Sequence, residues 1–288
     1  MVRRLLTVLE MIKFQHTIFA LPFAAVGAAC AARGWPSLEK CLWILGAMVG
    51  ARSAAMTFNR IADARFDAAN PRTAGRAIPR RLVSTRFAAA VLLASLALFV
   101  LSAAMLNRTV LLLSPVAAAV ILGYSFTKRF TALSHFVLGL SLALAPIGAW
   151  LAIDPRLAPF PLLIGAGVLF WVAGFDILYA CEDLAFDRSV GLKSVPAAIG
   201  IPGALRAARV CHATALAAFG APILLGLRGW YAGSVVAVAL LLLYEHSIVR
   251  ADDLRRVNRA FFHVNAIVSV TLAIGAIAEL AANRVPAL

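Results

Sequence analysis

Acidic residues are scarce in this chain of 288 residues: 13 Asp and Glu stand against 27 Lys and Arg, and charged residues of both signs make up only 14% of the sequence. A soluble domain carries about a quarter charged residues and is nearer half apolar, whereas 62% of this chain is hydrophobic. Composition therefore excludes a soluble globular domain and places the chain in a lipid bilayer. The net charge of +14 would suit nucleic acid, but the basic residues fall between apolar runs and form no continuous patch. Nucleic acid is thus excluded as a partner. Cysteine is also scarce. Cys30, Cys41, Cys181 and Cys211 show no metal-ligand spacing and read as small packing residues, although Cys30 and Cys41 flank one loop. His16, His135, His212, His246 and His263 show no partner pattern and read as packed or interfacial side chains. Nothing reads as a soluble domain or a long linker. The first apolar run is too long for a signal-peptide core and has no clear cleavage context. Residues 1–288 are expected to form a single integral-membrane domain.

What the chain has in abundance is apolar runs of about 17–25 residues, the length that crosses a bilayer as a helix. There are nine, at roughly 14–32, 39–58, 87–106, 109–127, 133–152, 160–181, 204–227, 230–250 and 264–282, with only Asn107–Arg108 as the turn between the third and fourth. The expected fold is all-α: a transmembrane bundle of nine helices, with Gly and Ala allowing close helix approach. Orientation follows from Lys and Arg in the short loops. Twenty lie on one side: Arg3, Arg4 and Lys13, seven arginines from Arg60 to Arg86, Lys128, Arg129, Arg188, Lys193, Arg206, Arg209, Arg250, Arg255, Arg256 and Arg259. Six lie on the other: Arg33, Lys40, Arg108, Arg156, Arg228 and Arg284. The amino terminus is expected in the cytoplasm and the carboxy terminus outside.

Six of the 13 acidic residues fall in two short stretches, each at the end of an apolar run. Asn59, Asp63 and Asp67 recur every four residues and so line one face of a helix. Asp176, Tyr179, Asp183 and Asp187, with Glu182 beside them, keep one face through offsets of three, seven and eleven. Asp63 and Asp183 are 120 residues apart, as are Asp67 and Asp187. Each stretch is followed by a basic loop containing proline, Arg72–Pro79 and Gly191–Pro196, so the chain carries a weak parallel repeat. An even number of crossings separates the two stretches, which places both at the cytoplasmic face.

Acids alone on the surface of a membrane would be solvated helix ends. Two matched sets on the same face are better explained as a site, because ionisable residues at membrane depth are functional by default. Carboxylates and an amide on one face suit a hard divalent ion such as Mg²⁺, which sits between one or two carboxylates and a substrate phosphate. Arginine supplies planar forks of donors for the phosphate oxygens. Beside lipid, the natural diphosphate is one with a hydrocarbon tail. Arg52 lies inside the second run and shares a face with Asn59 and Asp63. It is either a structural partner of an aspartate or an anchor for an anionic second substrate.

At these residues the chain resembles the UbiA superfamily of intramembrane aromatic prenyltransferases. The family signatures N-D-x-x-D-x-x-x-D and D-x-x-Y-x-x-x-D-x-x-x-D stand here as Asn59–Arg60…Asp63…Asp67 and Asp176…Tyr179…Asp183…Asp187. The resemblance extends to Tyr124–Thr131, to the Arg72, Thr73 and Arg76 loop, and to Gly191–Ser194, and it covers essentially the whole chain. It implies a helical bundle open laterally to lipid, with Mg²⁺ held by Asn59, Asp63, Asp67, Asp176, Asp183 and Asp187. A polyprenyl diphosphate would be bound with Arg72, Arg76, Tyr124, Lys128, Arg129, Tyr179 and Lys193. Asp63, Asp67, Asp183 and Asp187 would serve catalysis: ionisation would give an allylic cation that an aromatic ring attacks. The acceptors of the family branch it most resembles are aromatic carboxylic acids, which makes Arg52 the expected clamp for the acceptor carboxylate. The chain looks most like the 4-hydroxybenzoate branch of respiratory quinone synthesis, at a bacterial inner membrane with the site facing the cytoplasm. Asn70–Thr73 and Phe175–Ala180 also resemble relatives that prenylate a dihydroxynaphthoate for menaquinone. Two positions depart from the pattern. Arg60 replaces a usual Asp, which removes one possible ligand, and Ala77 stands where Arg-Pro is common.

Two other classes compete. A transporter would also suit an apparent repeat with intramembrane charge, but its site would lie near the midplane, not at one surface beside basic loops. A phospholipid-type phosphotransferase would carry Asp-Gly within its acidic signature, and neither stretch has one.

Overall fold

Backbone polar groups have no water partner in hydrocarbon, so an apolar run must satisfy them within itself as a helix. The computed structural model describes residues 10–12, 14–254, 257 and 260–282, and among them all regular structure is helical. Arg3, Arg4, Lys13, Arg255, Arg256, Arg259 and Arg284, counted above for orientation, lie outside the described residues. In chain order the α-helices are α1 (Leu21–Ala32), α2 (Leu38–Ala62), α3 (Ala64–Ala69), α4 (Thr85–Leu106), α5 (Arg108–Thr127) and α6 (Ser134–Ile153). They continue with α7 (Pro159–Ala180), α8 (Leu184–Val190), α9 (Val195–Gly220), α10 (Trp230–Ile248) and α11 (Asn265–Ala281).

Seven of the nine expected spans are helices long and apolar enough to cross a membrane: α2, α4, α5, α6, α7, α10 and α11. The other two are helical with a different form. The run at 14–32 begins with the 3-10 turn Phe14–Phe19, and α1 follows as a shorter apolar helix. The run at 204–227 belongs to α9, which starts earlier, at Val195, and is broken at Gly200 (φ 71°, ψ 172°) just before Pro202. The tight turn at Asn107 is present. Its backbone is extended between α4 and α5, and its side-chain oxygen accepts from the Val110 N–H at 3.0 Å, capping α5.

The chain groups into two compact units, Met1–Thr17 with Leu38–Phe126, and Ile18–Ser37 with Thr127–Leu288. In the first, α2 packs on α4 through small residues: a Cβ on Gly50 would lie 2.7 Å from the Phe99 nitrogen and 2.8 Å from the Ser95 carbonyl oxygen. In the second, α6 and α9 both pack on α7, α1 on α6, and α10 on α11. The centre of this unit is aromatic. Phe23 stacks on Phe219 at 5.7 Å, and Trp171 lies edge-on to Phe175 at 5.0 Å. Threaded through it is a polar chain. The Trp171 indole donates to Asn265 Oδ1 (2.7 Å), and Asn265 Nδ2 donates to Glu245 Oε1 (2.9 Å). His212 Nε2 donates to the Trp171 carbonyl (3.3 Å), which leaves Nδ1 to accept from His246 Nε2 (3.0 Å). His212 and His246 are therefore paired, where the sequence offered no partner for either.

Gly139 on α6 lies so close to α7 that a methyl group there would overlap the Leu169 carbonyl, whereas Gly148 on the same helix faces open space. Gly139→Ala is expected to cost about 1–3 kcal/mol through overpacking. Gly148→Ala should leave stability unchanged or raise it slightly. Thermal unfolding of the two variants in detergent makes the comparison.

Candidate active site

The first signature lies in the first unit, where α2 gives way to the short helix α3. Asp63 sits at the break (φ −97°, ψ 8°), yet its N–H still bonds the Asn59 carbonyl at 2.9 Å and the Asp67 N–H bonds the Asp63 carbonyl at 2.8 Å. The three residues thus stay in line as their spacing predicts. Asn59 Nδ2 donates to Asp63 Oδ2 (2.8 Å) and reaches Ser125 Oγ on α5 at 3.5 Å. Its oxygen accepts from Arg60 Nη1 at 3.4 Å. The buried Arg60 also bonds the Met11 carbonyl and lies within electrostatic reach of Asp67, Asp63, Tyr124 and Arg76. Where the family usually places an acid, this chain places a cation that orients the neighbouring amide. Asp67 is buried, and its Oδ1 takes Arg76 Nη1 at 2.5 Å. Thr73 Oγ1 holds the Asp67 carbonyl (3.1 Å), and Asn70 Oδ1 accepts from the Arg72 N–H (2.9 Å), so the loop is folded back onto the signature. Arg72 itself is exposed, and Arg52 lies near Tyr124.

The second signature lies in the second unit. After α7, a 3-10 turn at Cys181–Asp183 leads into α8. Asp183 repeats the geometry of Asp63 almost to the degree, with φ −95° and ψ 1° at the head of a short helix. In neither case does the aspartate side chain cap its helix. Asp187 is 2% exposed, bonds Ser194, and lies within electrostatic reach of Lys128, Asp183 and His135. Gly191 ends α8 in the left-handed region (φ 73°), which an L side chain adopts only with strain. This turn sends Lys193 back along residues 128–130: its N–H bonds the Lys128 carbonyl (2.7 Å) and its ammonium the Phe130 carbonyl (3.2 Å). Ser194 then caps α9 through the Ala197 N–H (3.3 Å). Asp176 lies higher on α7, and its Oδ2 is 2.6 Å from Nδ1 of the fully buried His135. Tyr179 is half-buried and packs beside Ile177 and Leu178, while Arg129 is exposed.

The structure therefore brings Asn59, Asp63, Asp67, Arg76 and Tyr124 into one neighbourhood, and Asp183, Asp187 and Lys128 into another. It turns the Lys193 ammonium onto a backbone carbonyl and the Asn59 oxygen toward Arg60. His135, Ser194, Thr73 and Ser125 were missed as site residues. Only Ser194, a hydroxyl two residues before Pro196, carried a helix-start signal in the sequence.

The sequence profile of the UbiA prenyltransferase family matches residues 20–267. The chain belongs to the UbiA prenyltransferase family. It is 35% identical over 249 residues to a protein named 4-hydroxybenzoate octaprenyltransferase from Nitrosospira multiformis, covering 83% of this chain and 82% of that one. A protein of the same name from Nitrosomonas eutropha is 31% identical over 253 residues, 86% of each chain. Among solved structures, the apo UbiA homologue of Aeropyrum pernix superposes with a TM-score of 0.82 at 38% identity, covering 92% of this chain and 98% of that chain. A UbiA homologue of Archaeoglobus fulgidus shares the fold, with a TM-score of 0.77 at 20% identity over 96% and 99% of the two chains. The chain is thus an integral-membrane prenyltransferase, and the transporter and phosphotransferase readings fall away.

Its donor set fits the divalent ion that the signatures imply. Asp67 Oδ2 and Asp187 Oδ2 are buried, and neither has a hydrogen-bond partner among the described residues. Such an oxygen is costly to leave unmet, and a hard cation would meet it. No three His, Cys, Asp or Glu among the described residues cluster closely enough to hold an ion alone. That suits Mg²⁺, which takes one or two carboxylates and completes its shell with water and phosphate.

The Asp67–Arg76 pair is a charge-assisted bond to a buried carboxylate. Arg76→Gln is expected to lower stability by about 1.5–3 kcal/mol. Arg65→Gln, at an exposed position on α3, should change it by no more than about 0.5 kcal/mol. Chemical or thermal unfolding of the two variants side by side checks the difference.

Proposed function

We propose that this UbiA-family enzyme transfers a polyprenyl group from a polyprenyl diphosphate to an aromatic acid of the 4-hydroxybenzoate type, with Mg²⁺, in respiratory quinone biosynthesis. The site would face the cytoplasm at a bacterial inner membrane. One observation carries the reading. The two signatures end in equivalent buried carboxylates, Asp67 and Asp187, each with one unmet oxygen and a cation nearby, Arg76 and Lys128 respectively. The names of the Nitrosospira and Nitrosomonas relatives support the acceptor. The Archaeoglobus homologue has been solved with DMAPP and Mg²⁺ and with GPP and Mg²⁺, which supports the donor and the ion.

Asn59, Asp63 and Asp67 in one signature, and Asp176, Asp183 and Asp187 in the other, are the side chains that would hold Mg²⁺. Bound there, Mg²⁺ would neutralise charge developing on the diphosphate as it leaves. Arg72, Arg76, Lys128, Arg129 and Lys193 supply donors to the diphosphate oxygens. Tyr124 and Tyr179 offer an aromatic face or a hydroxyl to the allylic group. Arg52 clamps the acceptor carboxylate with two parallel bonds and holds the ring against the allylic carbon. The allylic C–O bond breaks with the electron pair leaving on diphosphate, the ring carbon forms the new C–C bond, and the ring then loses its proton. The resemblance of Phe175–Ala180 to naphthoate-prenylating relatives keeps a dihydroxynaphthoate as the second acceptor to test.

Purified enzyme offered one polyprenyl diphosphate with 4-hydroxybenzoate and a dihydroxynaphthoate in competition should prenylate the former, as read by mass spectrometry. Chelation by EDTA should abolish turnover. Asp63→Asn and Asp183→Asn should lower it by orders of magnitude while the fold survives, and near-normal rates in EDTA would sink the metal assignment.

A second prediction concerns Arg52. Arg52→Lys keeps the charge and loses the fork, so the acceptor KM should rise at saturating donor while the donor KM is unchanged. An unchanged acceptor KM with weakened donor binding would assign Arg52 to the diphosphate instead.

A further inference from the structure

His135 is a fully buried imidazole at the start of α6, and both of its nitrogens are engaged. The Val195 N–H reaches Nε2 at 3.3 Å, and a backbone amide can only donate, so Nε2 is the acceptor. The hydrogen of the neutral ring is therefore on Nδ1, and it points at Asp176 Oδ2, 2.6 Å away. The ring thus joins three elements: α6, which carries it, α7, which carries Asp176, and the first turn of α9. The next residue back from Val195 is Ser194, which bonds Asp187. One buried side chain hence links the first and last acids of the second signature. Asp176 keeps about a fifth of its side chain exposed, so one oxygen is fixed while the carboxylate still has an open side.

We propose that His135 is a positioning residue for the second signature: its Nδ1–H holds Asp176 Oδ2 and thereby aims the other oxygen at the ion. This rests on the reading of that signature as a metal–diphosphate site. The arrangement follows a general rule, in which a partner hydrogen-bonded to one part of a ligating group fixes its orientation, and loss of that partner typically costs about 10- to 100-fold in metal affinity or activity. Here the carboxylate is the ligand and the imidazole the orienting group. The ring's other bond, from the Val195 N–H to Nε2, makes the register of the Gly191–Ser194 turn, and with it Ser194 against Asp187, depend on the ring that holds Asp176.

Two amide variants separate the bonds. The nitrogen of an Asn side chain falls near Nδ1 of the ring it replaces, so His135→Asn retains a donor to Asp176 and gives up the acceptor for Val195. The longer Gln carries its amide to the place of Nε2, where its oxygen can accept from the Val195 N–H, so His135→Gln keeps that bond and gives up the donor to Asp176. Binding of Mn²⁺ in the presence of inorganic pyrophosphate, read from the free Mn²⁺ signal by electron paramagnetic resonance, should be within a few-fold of wild type in His135→Asn. It should be weaker by roughly 10- to 100-fold in His135→Gln. The half-saturating Mg²⁺ concentration for prenyl transfer should move by the same factor, with kcat recovered at saturating metal. Equal behaviour of the two variants, whether both intact or both lost, overturns the role. Asp187→Asn distinguishes failure of the underlying reading. If that variant binds Mn²⁺ as wild type does, the metal assignment itself is wrong and this role falls with it. If it loses Mn²⁺ while both His135 variants keep it, only the positioning role falls. A measurement on the unaltered enzyme needs no variant to fold. In ¹⁵N-histidine-labelled protein, the His135 Nδ1–H resonance should shift when Mg²⁺ and pyrophosphate are added together, and a resonance that stays in place overturns the proposal.

Discussion

A carboxylate beside hydrocarbon has to be met by a cation or by hydrogen-bond donors, and the local structure around both signatures is arranged by that need. Asp67 is met by Arg76, Asp63 by the Asn59 amide, Asp176 by His135 and Asp187 by Ser194. Three of these partners are themselves held. Asn59 is oriented by Arg60, His135 by the Val195 N–H, and Ser194 by its place at the head of α9. Two acids, Asp67 and Asp187, are met only in part, and they occupy equivalent places in the two halves. Loops that look like mere connectors are thereby given fixed conformations, because they carry the donors.

The repeat hinted at by a separation of 120 residues has a physical form. It is a break after a long helix, with an aspartate in the bridge region of backbone space at the break and a second aspartate in the first turn of a short helix. Periodicity alone predicts a continuous helical stripe. The break keeps the stripe in line in the first signature through backbone bonds that run across Asp63. It also ends the long helix there, so the loop that follows can fold back and bring Arg76 or Ser194 to the second acid. The two halves reach this end with different chemistry. A side-chain cation closes the first, and a glycine turn and a backbone-anchored strand of chain close the second.

Much of this was legible in the sequence. Long apolar runs set the helices because bilayer thickness is a fixed length. The edges of α4, α5, α6 and α11 fall within two residues of the runs that predicted them. The acidic spacing and the surrounding basic residues pointed to the two sites, because helical periodicity is local. What escaped was whatever depends on residues far apart in the chain. No local pattern links His135 to Asp176, or Trp171 and Asn265 to Glu245. The break in α9 was not foreseen either, since a single Gly two residues before a Pro is common in apolar helices. The direction of Lys193, onto the Phe130 carbonyl, follows from the left-handed turn at Gly191 and not from its charge.

The polar chain inside the second unit bears on how the protein is made. Glu245 on α10 and the Tyr231 N–H at the start of that helix find their partners, Asn265 and Glu279, on α11. The Ile18 carbonyl, ahead of α1, is met by Ser269, 251 residues later. Synthesis runs from the amino end, so α1 enters the bilayer long before its partner exists, and Glu245 enters before Asn265. The second unit therefore closes only when α11 is inserted. Until then the buried Glu245 is without its Asn265 donor, and the emerging chain is vulnerable to quality control until α11 leaves the ribosome.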